Sequence, residues 1–316
     1  MYSRTDLASA NDVSTLYERP ARIATCAPGA PSGPACRPSA SSLPDPEMHA
    51  VNAPVDFLWL ELTPKCNLRC VHCYADSGPE MPVTQRMSAG DWINALREAS
   101  ELGCRKVQFI GGEPTVYPQL PVLIAAARQF GYELVEVFTN GTAFSEHVKS
   151  VFALNQVSLA FSVYGATAPI HDSVTMQDGS FDRTVANVKW AVKQKLNIRV
   201  EIIEMSQNSS TVDDTVRFFK SLGVATIGID RVRAIGRAAN GVPSQMDELC
   251  GDCWKGKLCV AATGQIFPCV FSRFYPVGSV EEGVGAAVAS HSLSAFRASL
   301  AEKMRQHELT RSSVSS

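Results

Sequence analysis

Between residues 56 and 230, the sequence alternates short apolar runs with longer amphipathic segments. The apolar runs predict β-strands, and the segments between them predict α-helices. The predicted strands are Phe57–Leu62, Lys106–Ile110, Glu133–Phe138, Val157–Ser162, Arg199–Met205 and Thr226–Asp230. The predicted helices are Ser88–Leu102, Gln119–Phe130, Ser145–Leu154, Asp182–Gln194 and Thr211–Leu222. Strands that alternate with helices in this way form a parallel sheet with right-handed crossovers.

About six strand–helix units are too few to close an eight-stranded barrel. We therefore predict an α/β fold, a partial (β/α)6 TIM-like barrel with a small cysteine-rich C-terminal extension. In such folds ligands bind at the carboxyl ends of the strands, where the loops gather.

Four segments are expected along the chain. Residues 1–54 are rich in Pro, Ala and Ser and predict a mobile arm, because they hold too little apolar surface to offset the entropy of ordering. Residues 55–238 form the barrel and residues 239–305 the extension, which is too small to be stable without a metal group. Residues 306–316 are a polar tail.

Composition excludes several classes of protein. Apolar residues make up 45% of the chain and charged residues 19%, which is typical of a globular protein. A net charge of −2 gives no electrostatic basis for binding nucleic acid or an anionic membrane. No apolar run reaches the roughly 18 residues of a membrane span, and the N-terminus has no signal-peptide core. We therefore expect a cytoplasmic location.

The chain contains 10 cysteines, and seven of them fall in two tight groups. In a reducing compartment, grouped cysteines bind metal or carry out redox chemistry. Cys26 and Cys36 lie in the arm and are expected to be incidental thiols, with a disulfide or a third metal site as alternatives. Cys104 is expected to be a small buried residue.

The first group, Cys66, Cys70 and Cys73, directly follows the first predicted strand. Three thiolates on one loop can bind three irons of a cubane cluster and leave the fourth iron open for a ligand. The alternative is a zinc site with His72 as its fourth ligand.

The CxxxCxxC loop, with His72 before its third cysteine, resembles that of the radical S-adenosylmethionine (SAM) superfamily. Gly111–Pro114 follows the second strand and is similar to the family's GGEP motif. The resemblance implies a [4Fe–4S] cluster on the loop, and SAM bound by the residues His72, Tyr74, Gly111, Gly112, Glu113, Pro114, Asn140 and Ser162. In particular, it implies that the glycines allow close backbone approach and that Glu113 accepts hydrogen bonds from the SAM amino group. The alternatives to SAM binding are that Asn140 is a turn residue and that Ser162 is a strand-end hydroxyl.

The resemblance also implies the chemistry. An electron from the reduced cluster cleaves SAM to methionine and a 5′-deoxyadenosyl radical, which abstracts hydrogen from a substrate. The protein orients the reactants and excludes water. His171 and Asp172 resemble the family's HD pair, and no residue is assigned as catalytic.

The second group, Cys250, Cys253, Cys259 and Cys269, is a complete ligand set for a cubane cluster or for zinc. The stretch from Cys259 to Cys269 resembles the opening of the superfamily's SPASM extension. Because no cysteine follows Cys269, the shorter twitch arrangement with one auxiliary [4Fe–4S] cluster is expected. Zinc and incidental thiols are the alternatives.

Several other polar and aromatic residues are candidates for the mouth or wall of the barrel. We expect four charged residues at the mouth, where they pair with a substrate carboxylate or with the cofactor: Asp230, Arg231, Arg233 and Arg237. The alternative is that they form structural ion pairs at the end of the strand. Tyr164 and Glu204 are expected to line the cavity, and Trp59 and Trp190 to pack in the core.

The pattern around the motifs is similar to that of bacterial maturases, which cross-link, epimerise or form thioethers in ribosomally synthesised precursor peptides. The alternative is a dehydrogenase or decarboxylase for a small-molecule metabolite. A non-catalytic cluster-binding protein is disfavoured, because both the GGEP motif and the cysteine loop are intact. An electron donor such as flavodoxin or ferredoxin is expected. The arm is too short and too Pro-rich to be a leader-binding domain of the usual kind, so leader recognition requires either a separate leader-binding protein or the arm itself.

Overall fold

The computed structural model describes residues 54–241, 246–249 and 253–314, the last eight without their side chains. The expected arm, apart from residue 54, lies outside the described residues, as do Cys26, Cys36 and Cys250. Within the described part of the chain, we find no helix with the length and apolarity that crossing a membrane requires.

The described residues contain nine strands and eight α-helices. The strands are β1 (Phe57–Glu61), β2 (Lys106–Ile110), β3 (Leu134–Thr139), β4 (Ser158–Val163), β5 (Ile198–Glu204), β6 (Thr226–Arg231), β7 (Lys257–Ala261), β8 (Gln265–Phe267) and β9 (Gly278–Ser279). The helices are α1 (Ala89–Glu101), α2 (Leu120–Gln129), α3 (Glu146–Leu154), α4 (Ala168–Thr175), α5 (Ser180–Lys193), α6 (Val212–Ser221), α7 (Val284–Val288) and α8 (His291–Val314).

The strands form one open sheet in the order β6-β5-β4-β3-β2-β1-β7-β8-β9. Neighbouring strands from β6 to β7 are parallel, and the β7–β8 and β8–β9 pairs are antiparallel. The predicted strands and helices all form, each within about two residues of its predicted bounds. The sheet does not close, so the prediction of a partial barrel is confirmed.

The extension adds a parallel strand to the barrel, which the sequence analysis missed. In β7, Lys257 pairs with Phe57 and Cys259 pairs with Trp59, so β7 covers the free edge of β1. Leu258 and Val260 of β7 are fully buried in the main core. The strand–helix alternation ends after β6, and the five-residue β7 extends the parallel sheet beyond it.

Apolar faces of the helices cover the outside of the sheet. Helix α1 begins where the sequence predicts, since Ser88 Oγ accepts from Asp91 N–H and the Asp91 carboxylate accepts from Ser88 N–H at 2.8 Å. It buries Trp92 completely, and Phe152 of α3 and Phe219 of α6 are equally buried. With its outer face filled in this way, the sheet leaves the inner face of β1–β6 for a ligand.

Candidate functional site

A cavity of about 400 Å³ lies inside the open barrel. Its lining combines the loops after β1, β2 and β3 with inward side chains of β4, β5 and β6. The predicted site residues that line it are Cys66, Cys70, Cys73, His72, Tyr74, Gly111, Gly112, Glu113, Asn140 and Ser162. Pro114 is buried and starts the 3-10 turn Pro114–Val116 without being among the lining residues. One cavity thus collects motifs that are up to about 96 positions apart in the sequence.

In residues 66–78, which we call the cysteine loop, two backbone N–H groups donate to the thiols. Leu68 N–H donates to Cys66 Sγ at 3.4 Å, and Ser77 N–H donates to Cys73 Sγ at 3.3 Å. Asn140 Nδ2 lies 3.7 Å from Cys66 Sγ on the facing turn. Hydrogen bonds to sulfur stabilise the thiolate form that binds iron.

Burial opposes the thiolate form of Cys66 and Cys70, and the Arg237 guanidinium offsets this only in part at Cys70. Burial raises the pKa of Cys66, and the Glu113 carboxylate raises it further. Burial and the neighbouring Cys73 raise the pKa of Cys70 to about 12. A bound metal group supplies the positive charge that turns such thiols into thiolates.

The donor set fits an iron–sulfur cluster. Within the described ranges, no three His, Cys, Asp or Glu side chains converge on one position for a single metal ion. Three separate thiols around a shared space are instead the ligand set of a cubane cluster, in which each thiolate binds its own iron.

The two glycines of the GGEP motif pack against the chain that leads into the cysteine loop. A Cβ on Gly112 would lie 2.6 Å from the Lys65 carbonyl carbon, and one on Gly111 would lie 2.8 Å from Thr63 O. Gly112 N–H donates to Thr63 O at 2.6 Å, and Glu113 N–H donates to Lys65 O at 2.9 Å. The close backbone approach expected of these glycines is an approach of the GGEP loop to residues 63–65.

Glu113 is completely buried and joins the GGEP motif to the turn after β3. Its Oε1 accepts from Thr115 Oγ1 and Thr139 Oγ1, both at 2.6 Å, and its Oε2 accepts from Asn140 N–H at 2.8 Å. Burial raises the pKa of Glu113, against the effect of these hydrogen bonds. Since a carboxylate oxygen accepts about two hydrogen bonds, Oε2 keeps one position for a donor in the cavity.

Asn140 and Ser162 have the structural roles considered for them, and both also line the cavity. Asn140 Oδ1 accepts from Thr142 N–H at 2.9 Å, which makes it a turn residue, while its Nδ2 faces Cys66 and Asn67. Ser162 lies near the end of β4 and lines the cavity beside Tyr164. Tyr164 itself lines the cavity, as predicted.

A chain of polar side chains crosses the inner face of the sheet and was not predicted. Trp59 Nε1 donates to Gln108 Oε1 at 2.7 Å, and Gln108 in turn donates to Glu136. Arg199 donates to both oxygens of Glu136, at 2.9 and 3.0 Å, and also to Glu201. Trp59, Gln108, Arg199 and Glu201 line the cavity. Trp59 also packs against buried side chains, as predicted. Polar residues at alternate positions of otherwise apolar strands were the available signal.

The charged residues after β6 have separate roles. Asp230 lines the cavity, and both its oxygens accept from Arg233 at 2.7 Å, whereas Arg231 is exposed and pairs with Glu248. The structural ion pairs considered for this segment are therefore present. Arg237 contacts the cysteine loop.

Glu204 and Trp190 lie away from the cavity. Glu204 is exposed and absent from the cavity lining, because it lies one position out of the inward alternation of Arg199, Glu201 and Ile203. The expectation that Glu204 lines the cavity was therefore wrong. Trp190 packs against the main core, as predicted.

The His171–Asp172 pair is structural in this fold. His171 is buried beside Tyr164 and Phe181, and burial lowers its pKa to about 4. Asp172 accepts from Gly179 N–H, Ser180 Oγ and Phe181 N–H at 2.7–2.8 Å, which ties α4 to the start of α5. Neither residue is among those that line the cavity.

The described cysteines of the second group are buried around the extension. Cys253 and Cys269 pack with Phe296 and Leu300 of α8, and Cys259 lies on β7. Cys250 lies outside the described residues, so the structure does not show the four thiols together. Cys104 is buried in the main core, as predicted.

Comparisons with known proteins point to one family. Residues 60–219 match the profile of the Radical SAM superfamily. The chain is 32% identical to Mycofactocin maturase MftC of Mycobacterium ulcerans (strain Agy99) over 196 residues, which are 61% of this chain and 51% of that protein. It thus spans about half the length of the curated relatives it matches.

Solved structures are similar to this chain in fold. Streptococcus suis SuiB bound to its precursor peptide SuiA matches with a TM-score of 0.58 and 16% identity, over 74% of this chain and 61% of SuiB. Native anSMEcpe with bound AdoMet and a peptide matches with a TM-score of 0.61 and 16% identity, over 77% of this chain and 82% of that one. At these identities the likeness shows the fold alone.

Proposed function

Because this chain belongs to the radical SAM superfamily, we propose that it binds a [4Fe–4S] cluster and SAM in the cavity of the open barrel. The observation that carries this proposal is the convergence of Cys66, Cys70 and Cys73 with the GGEP motif on that one cavity. AdoMet-bound structures of the same fold support it.

The residues of the chain have distinct tasks in this proposal. The three thiols of the cysteine loop hold the cluster, which when bound supplies the electron that cleaves SAM and so starts hydrogen abstraction from the substrate. Glu113, whose Oε2 accepts from Asn140 N–H and keeps a free acceptor position, would hold the SAM amino group, and Ser162 in the cavity wall would hold the ribose hydroxyls. His72 and Tyr74 form part of the wall, and Gly111 and Gly112 set the distance between the two loops.

The chain's own groups also shield the reaction. Tyr164 is 4% exposed, Glu113 is fully buried, and the apolar rings of Phe57, Trp59 and Phe138 line the same cavity. Such a wall excludes water from a reactive intermediate.

For the substrate we propose a ribosomally synthesised precursor peptide that is cross-linked, converted to a thioether or epimerised. Support comes from the likeness to a mycofactocin maturase and from the fold shared with SuiB bound to its precursor peptide. Co-expression with a short peptide encoded beside this gene tests the substrate. Mass spectrometry is expected to detect the loss of two hydrogens for a cross-link, or an unchanged mass with altered chirality for epimerisation. Product formed from a small metabolite without any peptide would contradict the peptide assignment.

We extend the proposal to the rest of the machinery. Residues 239–305 form a twitch-like domain whose cysteines 250, 253, 259 and 269 hold one auxiliary [4Fe–4S] cluster, and a flavodoxin or ferredoxin supplies electrons in the cytoplasm. A separate protein binds the leader of the precursor. Cys253→Ala or Cys269→Ala is then expected to spare SAM cleavage and lose the peptide product.

The cluster assignment is tested by single cysteine variants. Cys66→Ala, Cys70→Ala and Cys73→Ala are expected to abolish formation of 5′-deoxyadenosine after anaerobic reconstitution with iron and sulfide. Cys104→Ala, which removes a buried thiol outside the cavity, is the matched control and is expected to keep the activity. SAM cleavage that survives in any variant of the cysteine loop would contradict the assignment.

A further inference from the structure

Arg237, which follows β6, holds the cysteine loop by its main chain and its side chain. Its N–H donates to Cys73 O at 2.9 Å. Its guanidinium donates to Cys70 O at 2.6 Å and to Ser77 O at 2.7 Å. These bonds occupy carbonyls at the middle and the end of the loop, so one residue fixes the backbone from Cys70 to Ser77.

The chain before Arg237 is shaped for this contact. Gly236 has φ +60°, and a Cβ there would lie 2.5 Å from Cys73 O. Only glycine allows this segment to approach the loop so closely. The contact is therefore built from both sides, by a glycine that allows the approach and an arginine that bonds across it.

The positive charge of Arg237 lies near the thiols and is only weakly neutralised. The Arg237 side chain is 28% exposed, and the carboxylate that pairs with it, Asp76 at 3.1 Å, has a side chain that is 71% exposed. A solvated partner offsets little of the field that the guanidinium exerts on the loop. That field favours negative charge on the bound group.

Ser77 links Arg237 to the cavity. It is 1% exposed, its N–H donates to Cys73 Sγ, and its carbonyl accepts from Arg237. Its Oγ is buried and lines the cavity, and it has no hydrogen-bond partner among the described residues. An unpaired buried hydroxyl is unfavourable, so we expect a bound group in the cavity to accept a hydrogen bond from Ser77 Oγ.

We propose that Arg237 is a positioning residue of the iron–sulfur site, and that it raises the reduction potential of the cluster bound by the cysteine loop. Its hydrogen bonds hold Ser77 so that the Ser77 N–H donates to Cys73 Sγ, and so that the hydroxyl would donate to an acceptor atom of the bound group. Its charge stabilises the reduced cluster, which carries one more electron than the oxidised cluster. This inference rests on the proposed function, because it requires a cluster at Cys66, Cys70 and Cys73.

The test separates the charge of Arg237 from its hydrogen bonds. Arg237→Gln removes the charge, and Arg237→Lys keeps the charge but loses the planar set of donors. Arg217→Gln removes an exposed arginine of α6 and is the matched control. For each reconstituted full-length chain we measure the rate of iron loss to a chelator and the midpoint potential, using the electron paramagnetic resonance signal that changes when SAM is added.

Arg237→Gln is expected to lose iron about tenfold faster than the wild type, as is typical when a residue that supports metal ligands is removed, and to have a lower midpoint potential. Arg237→Lys is expected to lose iron faster while it keeps a potential close to that of the wild type. If Arg237→Gln does not fold, the Arg237→Lys result alone decides. Wild-type iron retention and potential in the Arg237 variants would overturn the inference and leave the proposed function standing, whereas a wild-type chain that binds no cluster would overturn both.

Discussion

We predict that Gly112→Ala destabilises the fold, because Gly112 packs against the chain that leads into the cysteine loop. Gly112 has no positive φ, so alanine meets no backbone strain there, and the whole effect is steric. The added methyl would lie 2.6 Å from the Lys65 carbonyl carbon and 2.8 Å from Pro64 O. Both neighbours are backbone atoms, so the two loops must separate by about 1 Å to restore ordinary contact.

The size of the effect follows from these contacts. Overpacking costs about 2 kcal/mol. Separation of the loops also weakens the bond from Gly112 N–H to Thr63 O, at about 1 kcal/mol for a hydrogen bond. We expect Gly112→Ala to lower the free energy of unfolding by about 3 kcal/mol, which is a drop of about 9 °C in Tm for a domain of this size.

Gly285→Ala is the matched control, because Gly285 lies in α7 with no atom within 4 Å of an added Cβ. It is expected to stabilise the chain by about 0.5 kcal/mol, as alanine does in a helix. Thermal unfolding followed by circular dichroism measures both variants. A Gly112→Ala protein with the Tm of the wild type would refute the packing argument.

Two further variants test other parts of the account. Arg199→Met leaves Glu136 buried without its cationic partner and is expected to cost about 3 kcal/mol in urea unfolding; unchanged stability would show that the polar chain across the sheet is not structural. Burial alone would raise the pKa of Asp172, but hydrogen bonds from Ser180 Oγ and the Phe181 and Gly179 N–H groups outweigh it and lower the pKa. The resulting stabilisation is full above the unfolded pKa of about 3.9 and is lost as pH falls through the folded pKa. Asp172→Asn is therefore expected to lower Tm at pH 6 and to show a weaker fall in Tm below pH 4. Tm curves that coincide with the wild type across this range would show that the hydrogen bonds of Asp172 do not stabilise the fold.

The barrel strands were predictable because each is a short apolar run that ends at a loop rich in glycine or polar residues. The run Lys106–Ile110 before Gly111 is such a case, and its bounds were predicted without error. Helix α4 was missed, since it is eight residues long and starts with a proline at its first turn. Strand β7 was missed because nothing in its own five residues indicates that β1 has a free edge.

The site was predictable where a motif carries its own spacing, and not where it depends on tertiary neighbours. The cysteine loop and the GGEP motif meet in one cavity, as expected. The sequence does not show that Gly112 packs against a second loop, because its partner Lys65 lies 47 positions away. The pairing of Arg199 with Glu136 depends in the same way on which strands become neighbours on the inner face.

The central claim is that the cysteine loop holds a cluster that cleaves SAM. The most direct measurement counts iron and sulfide in the anaerobically reconstituted wild-type chain and assays 5′-deoxyadenosine after dithionite and SAM are added. We predict about eight irons per chain, the content of two cubane clusters. We also predict that 5′-deoxyadenosine forms only when both SAM and reductant are present. A chain that binds zinc and no iron, or that is loaded with iron and leaves SAM intact in the presence of reductant and substrate peptide, would contradict it.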